Sequence, residues 1–217
     1  MEPVVDSHPP SRDHRRPMRG KAPAAASRSR TEPAVDAGLV CRRLRPGEAA
    51  VYRALRLDSL KRHPSSFSDT FDEEACKPRL AFEAAIEEGL PDRFVVGAFM
   101  GRRAVGIAGF ARLERSKTGH RGAISHVYVD ANLHGRAVGR ALMQATLAQA
   151  FAARDVEQIE LGVVSNNVAA LRLYETLGFR RFGQLANALQ VDDARWATCQ
   201  MVLTREDFEA RTALRWD

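Results

Sequence analysis

The chain has 217 residues, of which 45% are hydrophobic and 28% charged, a composition typical of a single globular domain. The formal net charge of +6 comes from 33 basic and 27 acidic residues, which favours anionic ligands without requiring nucleic acid. Apolar runs are too short for a membrane span or a secretory signal, and three scattered cysteines without CxxC spacing argue against a disulfide framework or a zinc site. We therefore expect a cytoplasmic protein that does not bind nucleic acid, membrane or metal.

The N-terminal segment differs in composition from the rest of the chain. Residues 1–37 contain six of the ten prolines and no Leu, Ile or aromatic residue. Such a segment cannot bury enough apolar surface to offset the entropy lost on ordering. We predict a disordered tail over residues 1–37, a folded domain over residues 38–205 and a C-terminal extension over residues 206–217.

The folded part opens with a strand and two helices. GLVCRRL is typical of a short strand, and EAAVYRALRLDSLKRH spaces its apolar residues as a helix does. Residues 63–78 are rich in polar residues and bounded by proline, which indicates a loop. RLAFEAAIEEGL is predicted as a second amphipathic helix that ends at Gly89.

A hairpin and a crossover unit follow. RFVVGAFM and AVGIAGFARLER flank a Gly-Arg turn and are predicted to pair antiparallel. AISHVYV is then a strand, GRALMQATLAQAFAARD a long helix and EQIELGVV another strand. This trio is a βαβ unit, whose two strands run parallel.

The chain closes with a helix and two strands. NVAALRLYETLGF is an amphipathic helix stopped by Gly178, and RRFGQLANAL and RWATCQMVLT are predicted strands. The order βααββ, βαβ, αββ predicts an α/β fold in which about seven strands form a mixed, mostly antiparallel sheet with four helices.

A glycine pair marks the loop between the strand AISHVYV and the long helix. Gly135 and Gly139 lie beside Arg136 and Arg140, near the predicted start of the helix at Gly135. A helix start exposes unpaired N–H groups and a partial positive charge, so it can bind an anion. Residues without Cβ let a phosphate approach the backbone. The alternative is that Gly139 only permits close packing of the helix on the sheet.

Two familiar nucleotide loops are excluded. A Walker loop needs Lys and then Ser or Thr after its last glycine, but Arg140 and Ala141 follow Gly139. A dinucleotide loop needs GxGxxG directly after the strand, and that pattern is absent.

The run VYVDANLHGRAVGRALM resembles motif A of the GNAT family of N-acetyltransferases, which binds the pyrophosphate of acetyl-CoA. The motif reads Gln or Arg, two residues, Gly, one residue, then Gly or Ala. In this chain it falls on His134, Gly135, Arg136, Ala137, Val138 and Gly139. His134 and Ala137 depart from it: the histidine could weaken affinity or make it pH sensitive, whereas we expect the alanine to keep helical geometry.

NNVAALRLYETLGF resembles the second signature of the same family. Its spacing is kept by Asn167, Ala170, Tyr174, Gly178 and Phe179. The segment LRLDSLKRHPSSFSDTFDEE is similar to a bacterial subset, so the resemblance covers residues 38 to about 204. It implies a GNAT-like acyl-CoA N-acyltransferase fold.

The resemblance also implies how acetyl-CoA, as co-substrate, is held. Strand residues 127–129 would bond the pantetheine amides if their strand splays from EQIELGVV. These residues are Val127, Tyr128 and Val129. Val138 and Arg140 would lie at the phosphates. Asn167 would bond either the pantetheine or, as an N-cap, the helix that follows it.

Acetyl transfer to an amine needs an acid, a base and an oxyanion donor. The phenol of Tyr174 has a pKa suited to protonating a departing thiolate, although an amphipathic helix can also place a tyrosine in the core. A backbone N–H on the strand would serve as the oxyanion donor.

The base is harder to assign. Relatives often carry Glu where this chain has Ala123, so the candidates are His126, His120 and Glu160. We select His126, although a lone strand histidine is more often exposed or hydrogen bonded.

The acceptor is expected to be a primary amine of a small molecule or peptide, and a homodimer is left open. Four acids in the segment before the second helix would suit a cationic amine, or form only a solvated acidic face; they are Asp69, Asp72, Glu73 and Glu74. A noncatalytic acyl-CoA sensor that lost its base is the alternative function.

Overall fold

The computed structural model describes residues 38–213. The predicted tail, residues 1–37, and the last four residues of the predicted C-terminal extension lie outside the described range. Within that range no helix is long and apolar enough to cross a membrane. No group of three or more His, Cys, Asp or Glu residues between positions 38 and 213 is placed to hold a metal ion.

Seven strands form a single sheet. They are β1 Leu39–Arg43, β2 Arg93–Met100, β3 Arg103–Arg112, β4 Arg121–Val129, β5 Gln158–Val164, β6 Arg180–Val191 and β7 Ala194–Thr204. Their order across the sheet is β1-β2-β3-β4-β5-β7-β6, with β4 and β5 parallel and the other neighbours antiparallel. The predicted mixed, mostly antiparallel sheet is confirmed.

The helices of the described range number six rather than the predicted four. They are α1 Ala49–Arg62, α2 Phe71–Ala75, α3 Glu83–Glu88, α4 Val138–Ala150, α5 Val168–Leu177 and α6 Arg205–Ala213. Helix α2 forms inside the segment predicted as a loop, because Thr70 and Glu73 make a reciprocal capping box. The predicted second helix is shorter, since α3 begins only at Glu83. Helix α6 begins at Arg205, the last residue of the predicted domain, and continues through the predicted extension. Arg205 donates to the carbonyls of Phe151, Ala153 and Val156.

Apolar cores lie on both faces of the sheet. Helices α4 and α5 cover one face, with Leu142 fully buried against strand residues such as Val96. Helices α1 and α3 cover the other face, where Tyr52 and Ile86 pack on Val95. Adjacent residues of β2 therefore serve opposite cores, as the alternation of side chains along a strand requires.

The parallel pair β4 and β5 separates after a short contact. Arg121, Gly122 and Ala123 pair with Gln158, Ile159 and Glu160. Beyond this point β5 continues to pair with β7, and β4 continues to pair with β3. The predicted splay is present, and it leaves one backbone edge of residues 124–129 without a strand partner.

The loop after β4 enters α4 through left-handed backbone. Gly135 has φ 80° and Ala137 has φ 59°, so neither residue is helical, and α4 starts at Val138 rather than near Gly135. The expectation of helical geometry at Ala137 is therefore wrong. A Cβ in this conformation crowds the following carbonyl oxygen, which costs about 1–2 kcal/mol.

We expect Ala137→Gly to raise the free energy of unfolding by up to about 1 kcal/mol, because relief of the left-handed strain exceeds the added entropy of the unfolded chain. Ala141→Gly, in the helical body of α4, is the matched control and should lower it by about 1 kcal/mol. Urea unfolding measures both variants. Equal destabilisation by the two substitutions would contradict the backbone assignment.

Candidate active site

A groove of about 830 Å³ opens where β4 leaves β5. Its walls are the separated parts of the two strands, the N-terminus of α4, one side of α5, parts of β6 and β7, Arg56 of α1 and residues 66–69 of the segment after α1. Every predicted cofactor-binding residue lines this groove except Arg136, which lies exposed on the loop before α4. The fold thus brings two sequence signatures, separated by about 30 residues, to one site.

The N-terminus of α4 forms one end of the groove. Among residues 38–213, the N–H groups of Val138 and Gly139 have no backbone partner, whereas the N–H of Ala141 donates to the carbonyl of Ala137 at 3.0 Å. A Cβ built on Gly139 would meet Leu173 at 3.4 Å and nothing closer. Close packing therefore does not require a glycine here, and the free amides fit an anion such as a pyrophosphate.

His134 holds the loop rather than reaching into the groove as a free donor. Its Nε2 lies 3.0 Å from the carbonyl oxygen of Val129. A carbonyl only accepts, so Nε2 carries the proton in this contact. The contact ties the loop to the end of β4, and it occupies the carbonyl of Val129 that was predicted to be open to pantetheine.

Asn167 is the N-cap of α5. Its Oδ1 accepts from the N–H of Ala170 at 3.1 Å. The side chain also lines the groove. Of the two roles open from the pattern, the structure contains the cap.

Strand β4 carries a bulge in the middle of the groove. Ile107 of β3 pairs with Tyr128 and Gly109 pairs with Ser125, so His126 and Val127 together oppose a single β3 residue. His126 has φ 55°, a left-handed conformation that is costly for a residue with a Cβ. The bulge turns the backbone of β4 locally and exposes it to the groove.

His126 is held on the α1 side of the bulge. Its Nδ1 lies 2.9 Å from the hydroxyl of Tyr52, and its ring stacks on Tyr52 and meets Phe82 edge-on. Burial, aided by the positive charges of Arg56 and Lys77, lowers the pKa of His126 to about 3. The imidazole is therefore neutral at physiological pH but only a weak base. The role of Tyr52 could not be predicted from the sequence, because this residue of α1 lies 74 positions away from His126 in the chain.

The other candidate bases lie away from the groove. Glu160 accepts from both Arg121 and Gln158 and does not line the groove. His120 precedes β4, at the end opposite the bulge. Glu160 belongs to the last pair of β4 and β5, where its carboxylate is already engaged, and His120 does not line the groove either.

Tyr174 lies on the groove wall formed by α5. The side chain is only 6% exposed and meets Phe179 edge-on, with 5.9 Å between ring centroids. Burial raises the pKa of Tyr174 well above its usual value, so the phenol keeps its proton at neutral pH. Within the described chain its hydroxyl has no hydrogen-bond partner, which leaves it available to a ligand.

The acidic segment before α3 is not an open anionic surface. Asp69 pairs with the guanidinium of Arg56, buried Glu74 pairs with Lys77, and Glu73 caps α2. Asp72 is exposed and takes part in none of these side-chain contacts. Electrostatic attraction of a cationic acceptor by four acids is therefore not supported. Arg56 was missed in the sequence because a charged residue on an amphipathic helix usually faces solvent.

We expect the stability of the protein to depend on the titration of His126. The folded pKa of about 3 lies below the 6.5 of an exposed imidazole, so protonation favours the unfolded chain. The stabilisation of the folded chain by the neutral imidazole is fully present above pH 6.5. It decreases as the pH falls toward 3, by at most about 1.4 kcal/mol per pH unit.

The comparison variant is His126→Asn, because asparagine tolerates left-handed backbone but does not titrate. Urea unfolding of both proteins between pH 7 and pH 4 should show the wild type losing its advantage over the variant as the solution becomes acidic. A stability difference that is constant over this range would contradict the buried, neutral imidazole.

Comparisons with known proteins agree with this geometry. The family model described as Acetyltransferase (GNAT) family matches residues 51–179. The chain is 40% identical over 91 residues to a mycothiol acetyltransferase of Thermobispora bispora, covering 40% of this chain and 30% of that protein. It is 38% identical over 93 residues to the N-alpha-acetyltransferase RimI of Mycobacterium tuberculosis, covering 43% and 56%. The matches thus span about a third to a half of the length of these curated relatives.

Solved structures share the fold. The structure of yncA from Salmonella typhimurium, determined with its cofactor acetyl-CoA, superposes with a TM-score of 0.63 at 20% identity and covers 77% of this chain and 94% of that one. The family model, for its part, matches more than half of the sequence. On the strength of that match, the chain that forms the groove between β4 and β5 belongs to the GNAT family of acetyltransferases.

Proposed function

We propose that the chain transfers the acetyl group of acetyl-CoA to a primary amine of a small molecule or peptide, by direct attack in a ternary complex. The observation that carries the proposal is the unpaired edge of β4 beside the free amides of α4, both in one groove. A linear co-substrate with amides at one end and phosphates at the other suits that arrangement. The family, and a structural neighbour solved with acetyl-CoA, support the same co-substrate.

Different parts of the groove would bind different parts of acetyl-CoA. The N–H groups of Val138 and Gly139 would hold the pyrophosphate, with Arg140 beside them and Arg136 on the adjoining loop. Backbone groups of residues 127–129, apart from the Val129 carbonyl that His134 contacts, would bond the pantetheine amides as an added strand does. Acetyl-CoA supplies the thioester on which the amine acts.

Three groups near the bulge would assist the transfer. A backbone N–H on β4 would stabilise the oxyanion that develops on the acetyl carbonyl. The hydroxyl of Tyr174 would protonate the departing thiolate. His126 is the candidate that accepts the proton of the amine. Its low pKa keeps the imidazole unprotonated but also makes it a weak proton acceptor. Solvent in the groove would therefore take up part of the amine proton.

A noncatalytic acyl-CoA sensor is the second candidate. It is favoured by Ala123, which replaces a carboxylate, and by the weak basicity of His126. Against it stands Tyr174, a buried phenol that keeps a hydroxyl without a protein partner on the groove, where it can serve as a proton donor. The relatives named as mycothiol and N-alpha acetyltransferases act on different acceptors, so amine acetylation is the broadest function they support.

We expect Tyr174→Phe to lower turnover by about 100-fold, the low end for loss of a general acid, because a thiolate is a fairly good leaving group. Affinity for acetyl-CoA and the melting temperature should change little, since the ring still packs. Release of the CoA thiol measures turnover in a screen of amino acids, polyamines, aminoglycosides and peptide N-termini, and calorimetry measures acetyl-CoA binding.

The outcomes separate the two functions. A Phe variant that turns over at the wild-type rate removes Tyr174 from the mechanism. If acetyl-CoA binds but no acceptor in the screen is acetylated, the sensor replaces the enzyme as the proposed function. Failure of acetyl-CoA to bind at all would rule out both.

A further inference from the structure

Arg56 occupies an unusual position in the groove. It lies on α1, one helical turn after Tyr52 and so about 6 Å along the helix from the residue that contacts His126. Its side chain is completely buried, yet it lines the groove together with residues 66–69. Arg56 thus lies near His126, the proposed base, whose pKa its charge helps to lower.

The guanidinium has fewer partners than a buried arginine needs. Its Nη2 donates to Asp69, and the group lies over the ring of Phe67, 4.9 Å from the centroid. Among residues 38–213, neither Nε nor Nη1 has a hydrogen-bond partner. Arginine cannot escape this cost by losing its proton, because its pKa is too high.

The two unpartnered nitrogens differ in what surrounds them. The Nε atom lies 3.9 Å from Oε2 of Glu74, which also lacks a hydrogen-bond partner, so a small movement would satisfy both. The other carboxylate oxygen of Glu74 already pairs with Lys77. Nη1 is buried and has no hydrogen-bond partner among residues 38–213. Arg56 lines the groove, so a ligand bound there is a partner that a small shift of the side chain would bring within reach.

We propose that Arg56 binds a carboxylate of the acceptor, so that the substrate is an amine that also carries a carboxylate. The inference rests on the proposed function. Guanidinium and carboxylate groups match in shape and charge and pair strongly where water is excluded. Asp69, which is 39% exposed, holds one side of the guanidinium and leaves Nη1 to the ligand.

The distance between the bulge and Arg56 sets the kind of acceptor. The amine must reach the acetyl carbonyl near His126 while the carboxylate reaches Nη1. Acceptors in which a few bonds separate the two groups satisfy both contacts. A polyamine, which has no anionic group, leaves Nη1 without a partner and the buried charge uncompensated at that atom.

Turnover with matched acceptors tests the proposal. Glycine, β-alanine and γ-aminobutyrate are each compared with the alkylamine that lacks the carboxylate, using the full chain and saturating acetyl-CoA. We expect the best amino acid to exceed its alkylamine about tenfold or more in kcat/KM. Arg56→Gln should abolish this preference, so that the amino acid and its alkylamine are turned over with similar kcat/KM. Equal losses on both acceptors would overturn the proposal.

A binding measurement gives an answer even without turnover. Butyrate and butyramide are titrated into the acetyl-CoA-loaded chain, and the shift in melting temperature is recorded. Butyrate should stabilise the wild type and not Arg56→Gln, and butyramide should stabilise neither. If butyrate binds both proteins equally or binds neither, a trapped water satisfies Nη1 and the proposal is wrong.

Asp69→Asn provides the opposite control, and it decides the case if Arg56→Gln does not fold. Removing the competing carboxylate should tighten butyrate binding severalfold. Unchanged or weaker binding would contradict the role of Arg56. Failure of the proposed function is distinguishable, because absent amine acetylation leaves the butyrate result intact.

Discussion

The separation of β4 from β5 is the constraint on which the rest of the site depends. Three residue pairs hold the strands together, and then each strand follows a different neighbour. A strand edge in a protein interior leaves N–H and C=O groups that need partners. Because no other strand fills the gap, the fold creates a groove whose wall is backbone, and a ligand with amides of its own is the natural occupant.

Two further features divide this groove along its length. At one end, left-handed residues at Gly135 and Ala137 turn the chain so that α4 points free amides at the groove. In the middle, the bulge at His126 displaces the backbone of β4. Beyond the bulge, α1 supplies Tyr52 and the buried charge of Arg56. The proposed order of phosphate end, reaction centre and acceptor end follows from the order of these elements around the fork.

Much of this architecture could be predicted from local sequence. Apolar periodicity predicted the seven strands and the main helices, and the spacing of two short motifs identified residues that line one groove in the structure. The left-handed backbone of Ala137 could not be predicted, since alanine usually favours helix. The contact of Tyr52 with His126, and the burial of Arg56, depend on how α1 packs across the sheet. Such contacts join residues distant in sequence, and periodicity carries no information on them.

The acidic segment that contains Asp69 and Glu74 is a second case in which the sequence alone did not predict the contacts. Four acids close together suggested an attractive surface for a cation, but folding pairs Asp69 and Glu74 with basic residues that the pattern did not connect to them. The electrostatic potential near a group of acids depends on which basic residues the fold places beside them.

Amide hydrogen exchange, compared with and without acetyl-CoA, tests the central claim that the fork holds the co-substrate. Ligand binding to the β4 edge should slow exchange at amides within residues 124–129 and at Val138 and Gly139. Amides of residues 121–123 should not change, because that part of β4 is already paired with β5. Protection confined to other parts of the chain, with no change along the free edge of β4, would contradict the account.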